Sequence, residues 1–433
     1  MFHDIVILGG GPAGCMAGIA ALQANPDLNV VIVDKTERAG HKLGEALLTG
    51  TLMAFKEVGI DQEIFDAGYH RKLGGAYVWG NDRKPWYVSY TGLVEGFPEN
   101  FMFEGKRGAI HAPRHIIDQQ LRDIAAARGV KFIVGDALDV RATANKTILS
   151  LSLADGRTLT ASYWIDATGQ QAFLARRVSE RIPVWNTRVA RYAYFANVDW
   201  KRAERAGFDL HRTNIVSAPD GWNWVIDLGE KGGNLTSIGF VTTPDVASKL
   251  TFENAVEMFP GLKDFGFDES LVDPRDYLGA PMSKFYGHPD YSYKTKDLHG
   301  PNWAVAGDAA LFLDPILSQG VTLAVHYGLM RGRAAAAALA GDAQFQERVT
   351  QHYLNESAIL RVVVGEWYSN NKAVEKWKWK ADEVSKGLGT NPGAEVGFDS
   401  FRYITNLENL RLEYDPYPRE VTEHIWEHLL EKA

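Results

Sequence analysis

A single cysteine, Cys15, serves a chain of 433 residues, so no disulfide can form within it. Basic residues are in deficit: 46 Lys and Arg stand against 54 Asp and Glu, a net charge of -8, and no basic block offsets it. That excludes nucleic acid as the main partner, because binding a phosphate backbone needs clustered cations. No uninterrupted apolar stretch reaches membrane-spanning length, and no basic, apolar, small-residue signal opens the chain. A cytoplasmic protein with no membrane partner is the expectation. No internal repeat occurs, and no metal centre is expected. The length is too great for one ordinary core, so two or more lobes are expected.

What is present begins at residue 4. Asp4-Ile5-Val6-Ile7-Leu8 is an apolar run of strand length. It leads into Gly9-Gly10-Gly11-Pro12-Ala13-Gly14, then into Cys15-Met16-Ala17-Gly18-Ile19-Ala20-Ala21-Leu22, small and apolar at helical spacing. A second run, Asn29-Val30-Val31-Ile32-Val33, ends in Asp34, twenty residues beyond Gly14. Strand, glycine turn, helix, strand and acid together form the context of a dinucleotide-binding fingerprint. Gly9 permits the sharp turn, Gly11 lets backbone approach a pyrophosphate, and Gly14 allows close helix–strand packing. Pro12 and Ala13 open a helix whose N-terminus offers unpaired N–H groups to a diphosphate. Asp34 is placed to accept ribose hydroxyls. Cys15 reads as a small packing residue.

Further along, Gly44-Glu45-Ala46-Leu47-Leu48 opens a helix from Thr49 to Val58 and suggests a loop lying against the cofactor. Lys35, Lys42, Glu45 and Arg114, the last near the start of a helix over 111–128, join the expected cofactor set. Residues 71–80 read as a strand, with 86–90 as its hairpin partner. Tyr163-Trp164-Ile165-Asp166-Ala167-Thr168-Gly169 is a second, weaker cofactor signature. From Val189 the pattern changes: 189–198, 222–228 and 234–242 cluster β-formers between turn residues, as in an antiparallel sheet. A helix is expected over 252–259 and a loop over 274–293. Trp303 to Val305 then returns to the nucleotide fold and ends in Gly307 and Asp308, before a long helix that Gly332 interrupts. Residues 346–386 are amphipathic, with Trp367, Trp377 and Trp379 as core or lid. Gly387–Gly397 reads as a loop, and 399–433 as a helical tail broken at Asp415-Pro416-Tyr417-Pro418. The expectation is an α/β fold, α+β overall. A Rossmann-like FAD-binding domain (1–180 and 295–345) carries an inserted antiparallel-sheet substrate domain (181–294) and a helical C-terminal region (346–433).

The order of these signals resembles that of FAD-dependent aromatic monooxygenases with the p-hydroxybenzoate hydroxylase-like fold. The resemblance covers about residues 1 to 340 and implies FAD as cofactor. It also implies that Asp308 meets the ribityl or diphosphate part, and that the helix after Gly320 points its N-terminus at the flavin. Three pieces are similar to the flavin-dependent halogenase branch. Trp222-Asn223-Trp224-Val225-Ile226 resembles its Trp-x-Trp-x-Ile-Pro signature, with Asp227 in place of proline. Phe312, Pro315, Ser318 and Gly320 match its Phe-x-x-Pro-x-x-Ser-x-Gly pattern, which implies a halide held by amides at Gln319 and Gly320. Lys72 occupies the position of that family's catalytic lysine. The Gly44–Leu48 stretch resembles the phenol- and pyrrole-directed branch, with Thr49 where proline is usual. Leu317 stands where tryptophan halogenases carry a carboxylate.

Each piece also has a plainer role. Trp222 and Trp224 face one side of a strand, as core or as substrate wall. Ser318 and Gly320 shape a helix start, and a lone strand lysine is usually solvated. The resemblance implies a reduced-flavin C4a-hydroperoxide, shielded from water, and O2 as co-substrate. Oxygenation of an electron-rich aromatic substrate, small molecule or peptide, is the favoured reading. A peptidyl tryptophan of tryptophylquinone biogenesis is one such substrate. Halogenation of a phenol, pyrrole or indole through hypohalous acid and Lys72 is the alternative, with halide as an added partner. A non-oxygenating flavin reductase is the third. No second glycine fingerprint with strand and helix context appears, so a separate flavin reductase is the expected electron source.

Overall fold

The computed structural model describes residues 2–369 apart from 80–83, 91–96, 104–105, 185–187 and 290–291. The expectations for Trp377, Trp379, the side chain of Trp367, the loop 387–397 and the tail 399–433 lie outside the described residues.

The opening apolar run forms the strand Phe2–Leu8 and lies between two parallel neighbours, Val30–Asp34 and Thr158–Asp166. Lys131–Val134 continues the sheet on one side and Trp303–Val305 on the other, both parallel. Strands buried on both faces need continuous apolar sequence, which the central Ile5–Leu8 and Val30–Val33 have, whereas Lys131–Val134 is a partly exposed edge. The register pairs Leu8 with Val33 and with Asp166, and Asp166 with Val305. The strand ends that carry Gly9, Asp34, Ala167 and Ala306 therefore emerge along one edge, where open α/β sheets bind their ligands.

The helix Pro12–Ala24 packs against the long helix Gly320–Leu339. Contact is close because glycines sit at the crossing: a Cβ on Gly328 would lie 2.2 Å from the Ala13 carbonyl oxygen, and one on Gly332 would lie 2.1 Å from that of Ala17. Gly332 thus marks a helix–helix crossing. Arg331, wholly buried, donates to the Val305 and Leu298 carbonyls and to Gln346 and Thr350. It ties the helix Gln344–Ser369 to the sheet.

The second sheet runs Val189–Phe195, Thr236–Thr242, Gly221–Asp227 and Arg212–Ala218, all antiparallel. Gly74–Val78 then adds in parallel and Trp86–Ser89 closes the edge, so this sheet also takes strands from the first 180 residues. Val216, Val225, Ile238 and Phe240 bury one face under Phe252, Phe259, Leu262 and Phe265. The other face turns toward the nucleotide fold.

Three local expectations differ. Only Ala255–Met258 of the expected 252–259 helix is α-helical, because Pro260 then starts a tighter 3-10 segment, Pro260–Phe265. The expected 274–293 loop contains Tyr286–Pro289, paired with Val189–Tyr192. The strand Arg212–Ala218 was not expected, because Asn214 breaks its apolar pattern. That residue is fully buried, with its amide donating to the Asp209, Arg212 and Val225 carbonyls.

Candidate active site

One cavity of about 660 Å³ runs from the glycine turn to the inner face of the second sheet. At its first end stand Gly9, Gly11, Pro12, Ala13, Asp34 and Lys35. Gly9 has φ +97°, which other residues avoid, and its backbone approaches Ala167 closely. A Cβ on Gly11 would meet nothing within 4 Å, so this glycine leaves open space in front of the helix N-terminus. Gly14 does not line the cavity. Its Cβ would lie 1.9 Å from the Gly9 carbonyl oxygen, so it serves the strand–helix contact.

Asp34 is held by four donors. Its Oδ2 accepts from the Gly10 amide at 2.7 Å and faces Arg122 Nη2 at 2.7 Å. Its Oδ1 accepts from the Thr36 amide and hydroxyl, both at 2.9 Å. Burial alone would raise its pKa, but the two backbone donors and the Arg122 charge bring it below the ordinary aspartate value. Sequence reasoning missed Arg122. The signal was a charge on the buried face of an amphipathic helix, Arg114–Ala127, beside Ile117, Leu121 and Ala125.

In the middle of the cavity stand Lys42, Glu45, Arg114, Gly307 and Asp308. Arg114 donates to the Leu43 carbonyl at 2.7 Å and pairs with Asp118, so it anchors the loop that carries Glu45. Buried Glu45 accepts from the Tyr194 hydroxyl at 2.6 Å. His41 of the same loop stacks flat on Tyr277, with centroids 4.4 Å apart, and touches Tyr192, Tyr194 and Tyr286. Burial pushes the Asp308 carboxyl up to about 6, against the opposing charges of Arg114 and Lys42.

The far end combines the two motif stretches. Phe312, Pro315, Ser318 and Gly320 all line the cavity, as do Trp222 and Trp224. Ser318 adopts φ +58°, turning the chain into the long helix that starts at Gly320. Gln319 is not a lining residue: its side chain is buried and donates to the Asp314 carbonyl at 3.0 Å. Trp222 donates to Tyr368 at 2.7 Å and Trp224 to Ser237 at 3.1 Å, so both indoles are fixed core residues that also form a wall.

Lys72 is likewise not a lining residue. It sits on the short strand His70–Lys72, paired with Ala109–His111, and is 2% exposed. The Leu73 amide donates to the His211 carbonyl, two residues before the lining residue Thr213. Burial brings its amine down to about 7, so it is not the solvated surface lysine that its strand position alone suggests.

A cavity with this glycine turn, helix N-terminus and acid defines an FAD-dependent oxidoreductase, and residues 4–177 match the FAD dependent oxidoreductase family. The family described as Tryptophan halogenase matches residues 98–381, about two thirds of the chain, so the chain belongs to the flavin-dependent halogenase family and FAD is its cofactor. The 1H-pyrrole-2-carbonyl-(peptidyl-carrier protein) chlorinase of Pseudomonas fluorescens is 27% identical over 84% of this chain and 82% of its own. The tryptophan 2-halogenase of Chondromyces crocatus is 26% identical over 88% and 70%. In fold, the flavin-dependent brominase Bmp2 superposes over all of both chains with a TM-score of 0.73 at 19% identity. A flavoprotein/dehydrogenase from Cytophaga hutchinsonii superposes with a TM-score of 0.71 at 22% identity, over 100% of this chain and 98% of its own. The residues present fit FAD: open space before Gly11, backbone donors at the helix start, and a buried Asp308 carboxyl farther along the same cavity. Among the described residues no helix is long and apolar enough to cross a membrane.

Proposed function

We propose that this protein is a flavin-dependent halogenase acting on an electron-rich aromatic ring. The observation that carries the reading is the turn Phe312 to Gly320, all four of whose motif residues open onto the cavity that begins at the glycine fingerprint. This reverses the order of the two sequence-based readings. The two relatives by sequence and the brominase Bmp2 described above are named for halogenation, and none is named for a peptidyl tryptophan.

Bound reduced FAD and O2 supply the two-electron oxidation of halide. The residues divide the remaining work. Gly11, Pro12 and Ala13 would leave room for the cofactor's diphosphate, and Lys42, Arg114 and Asp308 would hold the part that lies farther along the cavity. The turn at Ser318 and the helix start at Gly320 present backbone dipoles to an anion. Trp222 and Trp224 form the apolar wall against which a ring lies. Lys72 lies behind the cavity lining, beside the His111 that bonds the lining residue Thr213, with an amine able to exist uncharged near neutrality. It takes halogen from hypohalous acid, forming an N–halogen bond and releasing water. It gives the halogen to the ring and recovers a hydrogen, so one C–H bond is replaced by one C–halogen bond.

Replacing Lys72 tests the assignment. Lys72→Ala and Lys72→Arg should both retain FAD and reduced-flavin oxidation while losing halogenated product, because a guanidinium does not shed its proton. Substantial product from Lys72→Arg would remove the lysine from the mechanism.

A further inference from the structure

Thr213 is the one lining hydroxyl on the inner face of the second sheet whose bonding to a buried histidine is fixed among the described residues. It lies on the strand Arg212–Ala218 and is 3% exposed, with its neighbour on that face, Ile215, also lining the cavity. His111 Nε2 is 3.3 Å from Thr213 Oγ1, and His111 Nδ1 is 3.0 Å from the backbone oxygen of Asp227. A carbonyl only accepts, so Nδ1 carries the hydrogen and Nε2 is left as an acceptor. The Thr213 hydrogen is therefore committed to His111, and the Thr213 oxygen offers lone pairs, not a hydrogen, to the cavity. Burial and the neighbouring Lys72 charge hold the imidazole neutral at rest.

Asp227, which replaces the motif proline, completes the arrangement. Its carbonyl fixes His111, while its carboxylate accepts from the Gly229 amide at 2.7 Å and lies 3.7 Å from His70 Nδ1. His70 in turn stacks parallel on His111, with centroids 5.8 Å apart.

We propose that Thr213, backed by His111, is the specificity-determining acceptor of the substrate end: it selects rings that carry an O–H or N–H and accepts a hydrogen bond from that group during halogenation. The inference rests on the halogenase reading above. The ring O–H or N–H donates to Thr213 Oγ while the Thr213 hydrogen stays donated to His111 Nε2, which fixes the ring heteroatom in place and raises electron density on the ring. A ring held through that bond attacks halogen more readily than one that is not. After the C–halogen bond forms, the ring carbon loses its hydrogen to the Lys72 nitrogen, whose own hydrogen left earlier as water with the hydroxide of hypohalous acid. A ring whose heteroatom is methylated has no hydrogen to donate, and leaves the Thr213 lone pairs facing apolar surface, a buried acceptor without a donor.

The test uses FAD-loaded enzyme with a flavin reductase, bromide and O2. Three competing pairs are offered: phloroglucinol and 1,3,5-trimethoxybenzene, pyrrole and N-methylpyrrole, and indole and N-methylindole. Each ratio is divided by that given by free hypobromite. Wild type and Thr213→Ser should favour the donor-bearing member by about tenfold or more, the effect of one well-placed hydrogen bond. The isosteric Thr213→Val should bring the ratio close to one. Equal use of both members by wild type, a preference that survives in Thr213→Val, or turnover of none of the probes would overturn the inference. Bromination of monochlorodimedone, which reports oxidised bromide without a binding requirement, separates the two failures. If the reporter is brominated without discrimination, only the Thr213 assignment falls. If it is not brominated, the halogenase reading falls and this inference falls with it.

Discussion

Arg122 Nη2 lies 2.7 Å from Asp34 Oδ2, and the same guanidinium donates to the Gly10 carbonyl at 2.9 Å. Its other nitrogen reaches the Thr36 and Glu37 carbonyls at 2.9 and 3.0 Å. One side chain thus clamps the glycine turn, the acid and the chain that leaves it. Arg122→Met should destabilise the protein by about 3–5 kcal/mol, the cost of stranding one partner of a largely buried pair, and weaken FAD binding with it. The pH dependence has a definite sign. The Asp34 pKa is lower in the folded protein than in the unfolded chain, so its stabilisation is present above about pH 4 and fades as pH falls through the folded value. Acid unfolding of wild type and Arg122→Met should therefore converge at low pH; parallel curves throughout would contradict the clamp.

Two glycines of the fingerprint should fail in different ways. A Cβ on Gly11 meets no protein atom, whereas one on Gly14 would overlap the Gly9 carbonyl. Gly11→Val should keep the melting temperature of the cofactor-free protein and lose FAD, recovered or not as a yellow protein after soaking. Gly14→Val should lose the fold itself, by more than the ~1–3 kcal/mol usual for an overpacked core. Unchanged FAD affinity in Gly11→Val would remove the cofactor assignment at this end of the cavity.

Lys72 should write itself into the stability of the protein. Its folded pKa is about 7. In the unfolded chain a lysine titrates near ~10.4. Between these values the unfolded chain holds one more proton, so stability rises with pH by about 1.4 kcal/mol per unit. Below pH 7 the fold must carry the ammonium in an apolar setting and the gain is absent. Urea unfolding from pH 6 to 9, compared with Lys72→Met, isolates this slope. Halogenation should rise through the same range as the amine deprotonates, and a flat difference curve would place the amine in solvent.

Tyr368 joins the C-terminal helix to both motif stretches: it accepts from Trp222 at 2.7 Å and donates to Asp314 at 3.0 Å. Burial raises the Asp314 carboxyl to about 7, with Tyr368 among the groups that hold it down. Tyr368→Phe should cost about 1–3 kcal/mol in urea unfolding, because it leaves a buried indole N–H without its partner and the buried Asp314 carboxyl with one donor fewer, the Ile316 amide remaining. It should also raise the Asp314 pKa further and shift the Trp222 indole resonance. An unshifted resonance would break the link.

The nucleotide fold was legible because its requirements are local. Gly9, Gly11, Asp34, Gly307 and Asp308 answer to backbone geometry within a few residues, and the structure brings all five to one cavity. The reading weakened where residues act across the chain. Arg122 is one of many charges until its helix is known to bury that face. Thr213 and His111 are 102 residues apart and meet only because the strand Arg212–Ala218 pairs with Gly74–Val78, which follows directly on His70–Lys72 and so brings its partner Ala109–His111 near. That strand hides its polar residues inside, against the usual alternation. The Asp227 departure from the motif gains a rationale only when the turn to Gly229 and the contact with His70 are seen. His41 gave no sequence signal, since its partners Tyr192, Tyr194, Tyr277 and Tyr286 come from the other sheet and its loops.

The central claim is that oxidising power made on FAD is delivered as halogen, and one measurement addresses it most directly. FAD-loaded protein is supplied with a flavin reductase, isotopically labelled O2 and bromide, with phloroglucinol, pyrrole and indole as ring probes. Products are then read by mass spectrometry with and without bromide. The account predicts ring products carrying the bromine isotope doublet, no label from O2, and no ring product once bromide is withheld. Ring products carrying labelled oxygen and no bromine, formed equally with or without bromide, would contradict it and restore oxygenation as the reaction.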